Sequence, residues 1–139
     1  MMGAVSFSIP GVPIAKGRPR FGNGRVYTPQ RTSNAESKSQ QAAVVAMNKA
    51  RFRPTAGPVE VELEFFFPVP ESWPKHKRVR AGRGELKPAS RPDIDNLAKQ
   101  VTDAMNGVVY IDDAQIVSLS ARKWFSDACE TRVIVRFLA

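Results

Sequence analysis

The chain has 139 residues, with 21 Lys and Arg against 13 Asp and Glu, and a formal net charge of +8. That length and a hydrophobic content of 42% suit one globular domain over residues 1–139, while an isoelectric point of about 10.2 points to an acidic partner, of which nucleic acid is the commonest. The lone Cys129 excludes an internal disulfide and a cysteine-rich zinc site and points to a reducing, cytoplasmic setting, and the lone His76 leaves little scope for histidine ligands or a histidine base.

Val5, Phe7 and Ile9 alternate with Ser6 and Ser8, which predicts a half-buried strand. Lys16, Arg18, Arg20 and Arg25 then gather around the turn signal Gly22-Asn23-Gly24. A short basic hairpin is expected there, with Lys16, Arg18 and Arg20 as candidate phosphate contacts. From about Pro29 to Arg51 the chain lacks Gly and further Pro and is rich in Ala, Gln, Glu and Lys, so one long helix is expected. Its stretch from Ala42 to Met47 is apolar almost all round and calls for cover by the sheet or a partner subunit. Val59, Val61, Leu63, Phe65 and Phe67 alternate with Glu60, Glu62 and Glu64 in the cleanest strand pattern of the chain, with the glutamates on a solvent face.

Residues 70–91 read as a mobile basic loop, with seven Lys or Arg between Lys75 and Arg91 against one acid, Glu85. Lys75, Lys77, Arg78 and Arg80 are candidate DNA contacts, and Trp73 suits either a stacked base or an anchor on the core. After the second helix, described next, Val117, Leu119, Ala121 and Phe125 predict a strand. A turn at Ser126-Asp127-Ala128 then leads to a closing antiparallel strand through Val133 and Val135. No apolar run reaches membrane-spanning length and no signal-peptide pattern opens the chain.

The stretch from Arg91 to Gln115 carries the chemistry. It gathers Asp93, Asp95, Asp103, Asp112 and Asp113 on an otherwise basic protein, and a divalent cation would offset their repulsion. Asp93 suits a helix N-cap, and Ile94, Leu97, Ala98, Val101 and Met105 recur at helical spacing toward a core. Asn106-Gly107 ends the helix, and Val108 to Ile111 predicts a short strand that brings Asp112-Asp113 back beside the helix start. The plainer alternatives are an Asp93 that only caps, an Asp95–Lys99 pair at i,i+4, and a turn at Asp112-Asp113.

Pro92-Asp93-Ile94-Asp95-Asn96-Leu97-Ala98-Lys99, then Asp103-Ala104-Met105-Asn106-Gly107 and Asp112-Asp113-Ala114-Gln115-Ile116, resembles the RusA family of Holliday-junction resolvases. Pro13-Ile14-Ala15-Lys16-Gly17-Arg18-Pro19-Arg20-Phe21 resembles that family's opening segment. The resemblance implies magnesium bound by Asp93, Asp95 and one Asp of the 112–113 pair, with Asp113 the essential acid and Asp112 still possible. It implies a catalytic assisting role for Lys99 and a homodimer that nicks four-way DNA junctions in pairs, in recombination and repair. The expected fold is α+β and RusA-like, with a mixed, mainly antiparallel sheet carrying two helices. The alternatives are a non-catalytic basic DNA-binding protein and a nuclease for flaps and forks.

Overall fold

The structure, a computed structural model, describes residues 3–17, 20–27 and 29–138; of Arg20 and Tyr27 it describes the backbone alone. Arg18 therefore lies outside the described residues. The elements in chain order are β1 (Ala4–Pro10), β2 (Arg20–Gly22), β3 (Arg25–Tyr27), α1 (Gln30–Ala50), β4 (Val59–Phe67), α2 (Lys75–Gly82), α3 (Ile94–Ala104), a 3-10 turn (Asp113–Gln115), β5 (Ile116–Phe125) and β6 (Glu130–Phe137).

One sheet has the order β1-β6-β4-β5, with β4 and β5 parallel and the other pairs antiparallel. The architecture is thus α+β with a mixed, mainly antiparallel sheet, as expected. β2 and β3 form a separate hairpin. The alternation read in β4 is obeyed at every position: Val59, Val61, Leu63, Phe65 and Phe67 are buried and the residues between them are not. They meet Leu97 and Val101 of α3, Met105 just after it, Ala43 and Met47 of α1, and Val133 and Val135 of β6 in one core. Apolar burial on this scale is what holds so small a domain together.

The reverse face of the sheet has a different composition. Arg136 bonds Glu62 at 2.6 Å and Glu60 at 3.4 Å, Arg132 bonds Glu130 at 2.5 Å, and the Arg132 guanidinium lies 4.6 Å from the Phe66 ring centre. Cross-strand register puts these charges side by side, Glu60 opposite Arg136 and Glu64 opposite Arg132.

Several expectations fail, each for a local reason. There are three helices, because Lys75–Gly82 forms α2 inside the segment read as a loop. Pro74 suits a helix start, but α2 buries only Ala81, so it carries no apolar stripe that periodicity could detect. Val108 to Ile111 is not a strand. Gly107 takes φ +75 and its N–H donates to Tyr110 O at 2.8 Å, so these residues are spent on a tight reversal. Buried Tyr110 locks it by donating its hydroxyl to Thr102 O at 2.6 Å. β5 and β6 do not pair as a hairpin, since β4 lies between them. Val117 and Leu119 are 64% and 51% exposed rather than inward: Val117 is the extra residue where the register shifts between Val59 and Glu60, and both lie on the edge strand β5. Ile94, in the first turn of α3, is likewise exposed, and so are Val44 and Val45 of α1.

Candidate active site

Three pieces of chain converge around α3. The first is the segment after β1, where Lys16 N–H donates to Asn96 O at 3.0 Å. Gly17 sits so close to α1 that its N–H donates to the buried Thr32 Oγ1 at 2.8 Å, and an added Cβ would stand 2.7 Å from that oxygen. This close approach delivers the Lys16 side chain beneath α3. Its Nζ bonds Asp103 at 2.5 Å and Glu36 of α1 at 3.1 Å. Lys16, expected on DNA, is thus turned inward as an ion-pair hub, and its pKa is raised, chiefly by the hydrogen bond to Asp103.

α3 itself supplies Asp93, Asp95, Lys99 and Asp103. Asp93 is the N-cap residue, yet its side chain makes no capping hydrogen bond, so its carboxylate is not spent on the helix. Asp95 is exposed beside it and accepts Asn96 N–H at 3.0 Å. Lys99 pairs with Asp103, at 3.4 Å, rather than with Asp95. Burial pushes the Asp103 carboxyl up, but Lys16 and Lys99 together outweigh it and hold it below the ordinary aspartate range.

The third piece is the 3-10 turn. Asp112 caps it, accepting Ala114 N–H at 3.0 Å, while Gln115 Oε1 accepts the N–H groups of Ile111 and Asp112 at 2.9 Å. This reciprocal box is rooted in the body of the protein, because Gln115 Nε2 donates to Thr55 O and Gly57 O, each at 2.8 Å. Asp112 is therefore occupied as a cap, while Asp113 faces Asp103. The Asp113 pKa is raised by desolvation, then by Asp112 and by the hydrogen bond and charge of Asp103. The same acids, added to burial, push the Tyr110 hydroxyl up.

The structure brings Asp103, Asp113, Lys99 and Lys16 together and leaves Asp93 and Asp95 on the exposed start of α3. Among the described residues no three acidic, histidine or cysteine side chains form a ready-made metal group. The Asp93 carboxylate is free of capping duty and Asp113 is crowded by Asp112 and Asp103, so oxygen donors of the kind a hard cation takes are present, but Asp113 lies toward the last turn of α3 rather than beside the helix start expected for it.

The sequence alone assigns Lys123 of β5 no partner. Its Nζ donates to Ser90 O at 2.7 Å and Pro92 O at 2.9 Å, which fastens the chain just before Asp93 to the sheet. Nothing in the alternation of β5 could signal that partner, since it is far away in sequence. Gln100 was also missed: it is buried, accepts from Ser39 Oγ at 2.8 Å and donates to Ile14 O at 3.2 Å, tying α3 to α1 and to the segment before Lys16.

Of the other expected DNA contacts, Arg80 pairs with Glu85 at 3.2 Å, Arg78 donates to Glu71 O at 3.2 Å, and Lys77 Nζ sits 4.0 Å over the Trp73 ring. Lys75 is exposed at the start of α2. No helix among the described residues is long and apolar enough to cross a membrane.

A family described as Endodeoxyribonuclease RusA matches residues 10–136. The chain is also 36% identical over 141 residues, 97% of the length of each, to the "Uncharacterized protein YqaN" of Bacillus subtilis (strain 168).

Proposed function

Since the chain belongs to the RusA family of endodeoxyribonucleases, we propose that it is a magnesium-dependent enzyme that cuts four-way DNA junctions by paired nicks, in recombination and repair. The observation that carries this reading is the family match over residues 10–136, and it is supported by an Asp93 carboxylate free of capping duty at the head of α3 and by Lys99 paired with Asp103 further along the same helix. Asp93, Asp95 and Asp113 would hold Mg2+, with Asp112 excused by its capping bond. Magnesium, when bound, supplies positive charge that activates water and stabilises the scissile phosphate.

The chain's own residues do the rest. In hydrolysis the water oxygen joins phosphorus and the bond to the leaving sugar oxygen breaks; water loses a proton and the leaving oxygen gains one. Lys99, 58% exposed at its side chain, can reach toward the phosphate and offset the charge that grows on it. Asp103 holds that ammonium in place from one turn below, and Lys16 in turn holds Asp103. A homodimer with two-fold symmetry would set two such sites on opposed strands of a junction, which shares that symmetry.

The test is incubation of the protein with a synthetic four-way junction, a fork and a duplex, with and without magnesium. Metal-dependent paired nicks in the junction are expected, and Asp93→Asn, Asp95→Asn and Asp113→Asn should each abolish them while leaving junction binding intact or tighter. Equal cutting of fork and junction would move the substrate to branched DNA in general. Normal cutting by Asp93→Asn would reject the site.

A further inference from the structure

A cleft of about 1120 Å3 opens directly beside Asp93. Asp93 and Asn96 stand at its α3 end, and its walls are apolar, built from Ile14, Phe67, Trp73 and Phe125. Trp73 is fixed there edge-on to Phe125, with ring centres 5.3 Å apart. Lys77, which is not in the cleft wall, covers the indole from outside at 4.0 Å. Cations border the opening, with exposed Arg31, Lys87 and Arg91 among the lining residues. An aromatic interior with a positive rim matches a nucleotide, whose base offers a flat π-face for stacking and whose phosphate is anionic.

We propose that this cleft receives an unpaired nucleobase of the branched DNA substrate, seated against Trp73 and Phe125 so that its adjoining phosphate lies at Asp93. The proposal rests on the nuclease reading and adds how that nuclease chooses its substrate. In a continuous duplex every base is stacked and paired, so filling the cleft costs a few kcal/mol of unstacking. At a branch point some bases have already lost a stacking neighbour, and for them the cost falls. Selectivity for branched DNA then follows from the cleft as well as from the overall shape of the junction. A base held in the cleft also fixes which phosphate faces the acids, because the two are joined through one sugar.

The experiment measures binding in chelator, so it does not depend on the metal. Fluorescence anisotropy compares an intact junction with junctions carrying a single abasic residue at the branch point, placed on each strand in turn, or in a distant arm. For the unaltered protein, at least one abasic residue at the branch point should weaken binding roughly 5- to 150-fold, the range that one stacked base gives, and the distant one should have no effect. Ala89→Trp places an indole at an exposed wall position and should block the cleft. It should bind the intact junction as weakly as the unaltered protein binds the abasic one, with no further loss on the abasic junction. Equal affinity of the unaltered protein for intact and abasic junctions would overturn the proposal, as would undiminished discrimination by a folded Ala89→Trp. If the unaltered protein cuts junctions with magnesium yet ignores the abasic residue, the cleft proposal falls alone. If it discriminates yet never cuts, the nuclease reading falls and base capture stands.

Discussion

Asp103 and Asp113 meet at the site but respond to pH in opposite senses. Asp103 is held below the ordinary aspartate range, so its charge stabilises the fold above about pH 4, and that contribution is lost as pH falls through its lowered pKa. Asp113 is raised, so its charged form costs the metal-free fold stability once pH passes that ordinary range, and costs nothing well below it. Asp113→Asn should therefore melt at a higher temperature than the unaltered protein in chelator at pH 7, with the gap closing by pH 3, although the proposed role of Asp113 predicts that it does not cut DNA. Asp103→Asn should be less stable at pH 7, by about 1–3 kcal/mol, because Lys16 loses the charge of its nearest partner. Thermal melts across pH check both, and a lower melting Asp113→Asn at pH 7 would refute the crowding. Asp112→Asn keeps a good cap residue and should retain cleavage, whereas Asp112→Ala should lose about 1 kcal/mol of stability. The dense spacing of the acids was legible in the sequence. That Asp112 is tied up as a cap was not, since it depends on a hydrogen bond from Ala114 N–H.

At the scale of elements, the segment from Gly84 to Asp93 acts as a strap around the edge of β5. Successive residues of a strand point to opposite faces. Trp124 meets Gly84 and Lys87 on one side, while Lys123 bonds Ser90 and Pro92 on the other. The strap covers the end of an otherwise open edge and delivers Asp93 to the head of α3. Lys123→Met keeps the length of the side chain but removes both bonds. It should cost about 2 kcal/mol and reduce cleavage, with Asp93, Asp95 and Asp113 all intact; unchanged melting and turnover would reduce Lys123 to a surface residue. α2 changes what is expected of the basic segment. On a helix, Lys75, Lys77, Arg78 and Arg80 splay around the axis, so one DNA backbone cannot touch all four. Replacing the four with Ala should flatten the log–log salt dependence of binding by roughly one to two units. An unchanged slope in a salt titration would remove α2 from the DNA-binding face.

The whole molecule was legible where one face of an element is buried against one core. β1, β4, β6 and α1 appear almost at their predicted bounds because period-two patterning and uninterrupted helical composition are local signals. The strand order, the parallel run of β5 beside β4, and the reversal at Gly107 depend on contacts between distant residues such as Gln115 with Thr55. Periodicity carries no record of these.

The Glu and Arg rows on the reverse face of the sheet have a consequence for how the protein approaches a substrate. Their charges nearly cancel, so the excess of positive charge, +8 in all, belongs to the other sides of the molecule. Such a separation is an electric dipole. In the field of a DNA polyanion it turns the protein before contact and favours encounters that do not waste collisions on the back of the sheet. Neutralising Glu60, Glu62 and Glu64 together as Gln would raise the net charge and should tighten binding at low salt. The same change would remove the bias, so the share of bound complexes that go on to cut should fall, and stopped-flow binding set beside single-turnover cleavage reads the two effects separately. Tighter binding with an unchanged cutting fraction would mean that orientation is settled only after contact.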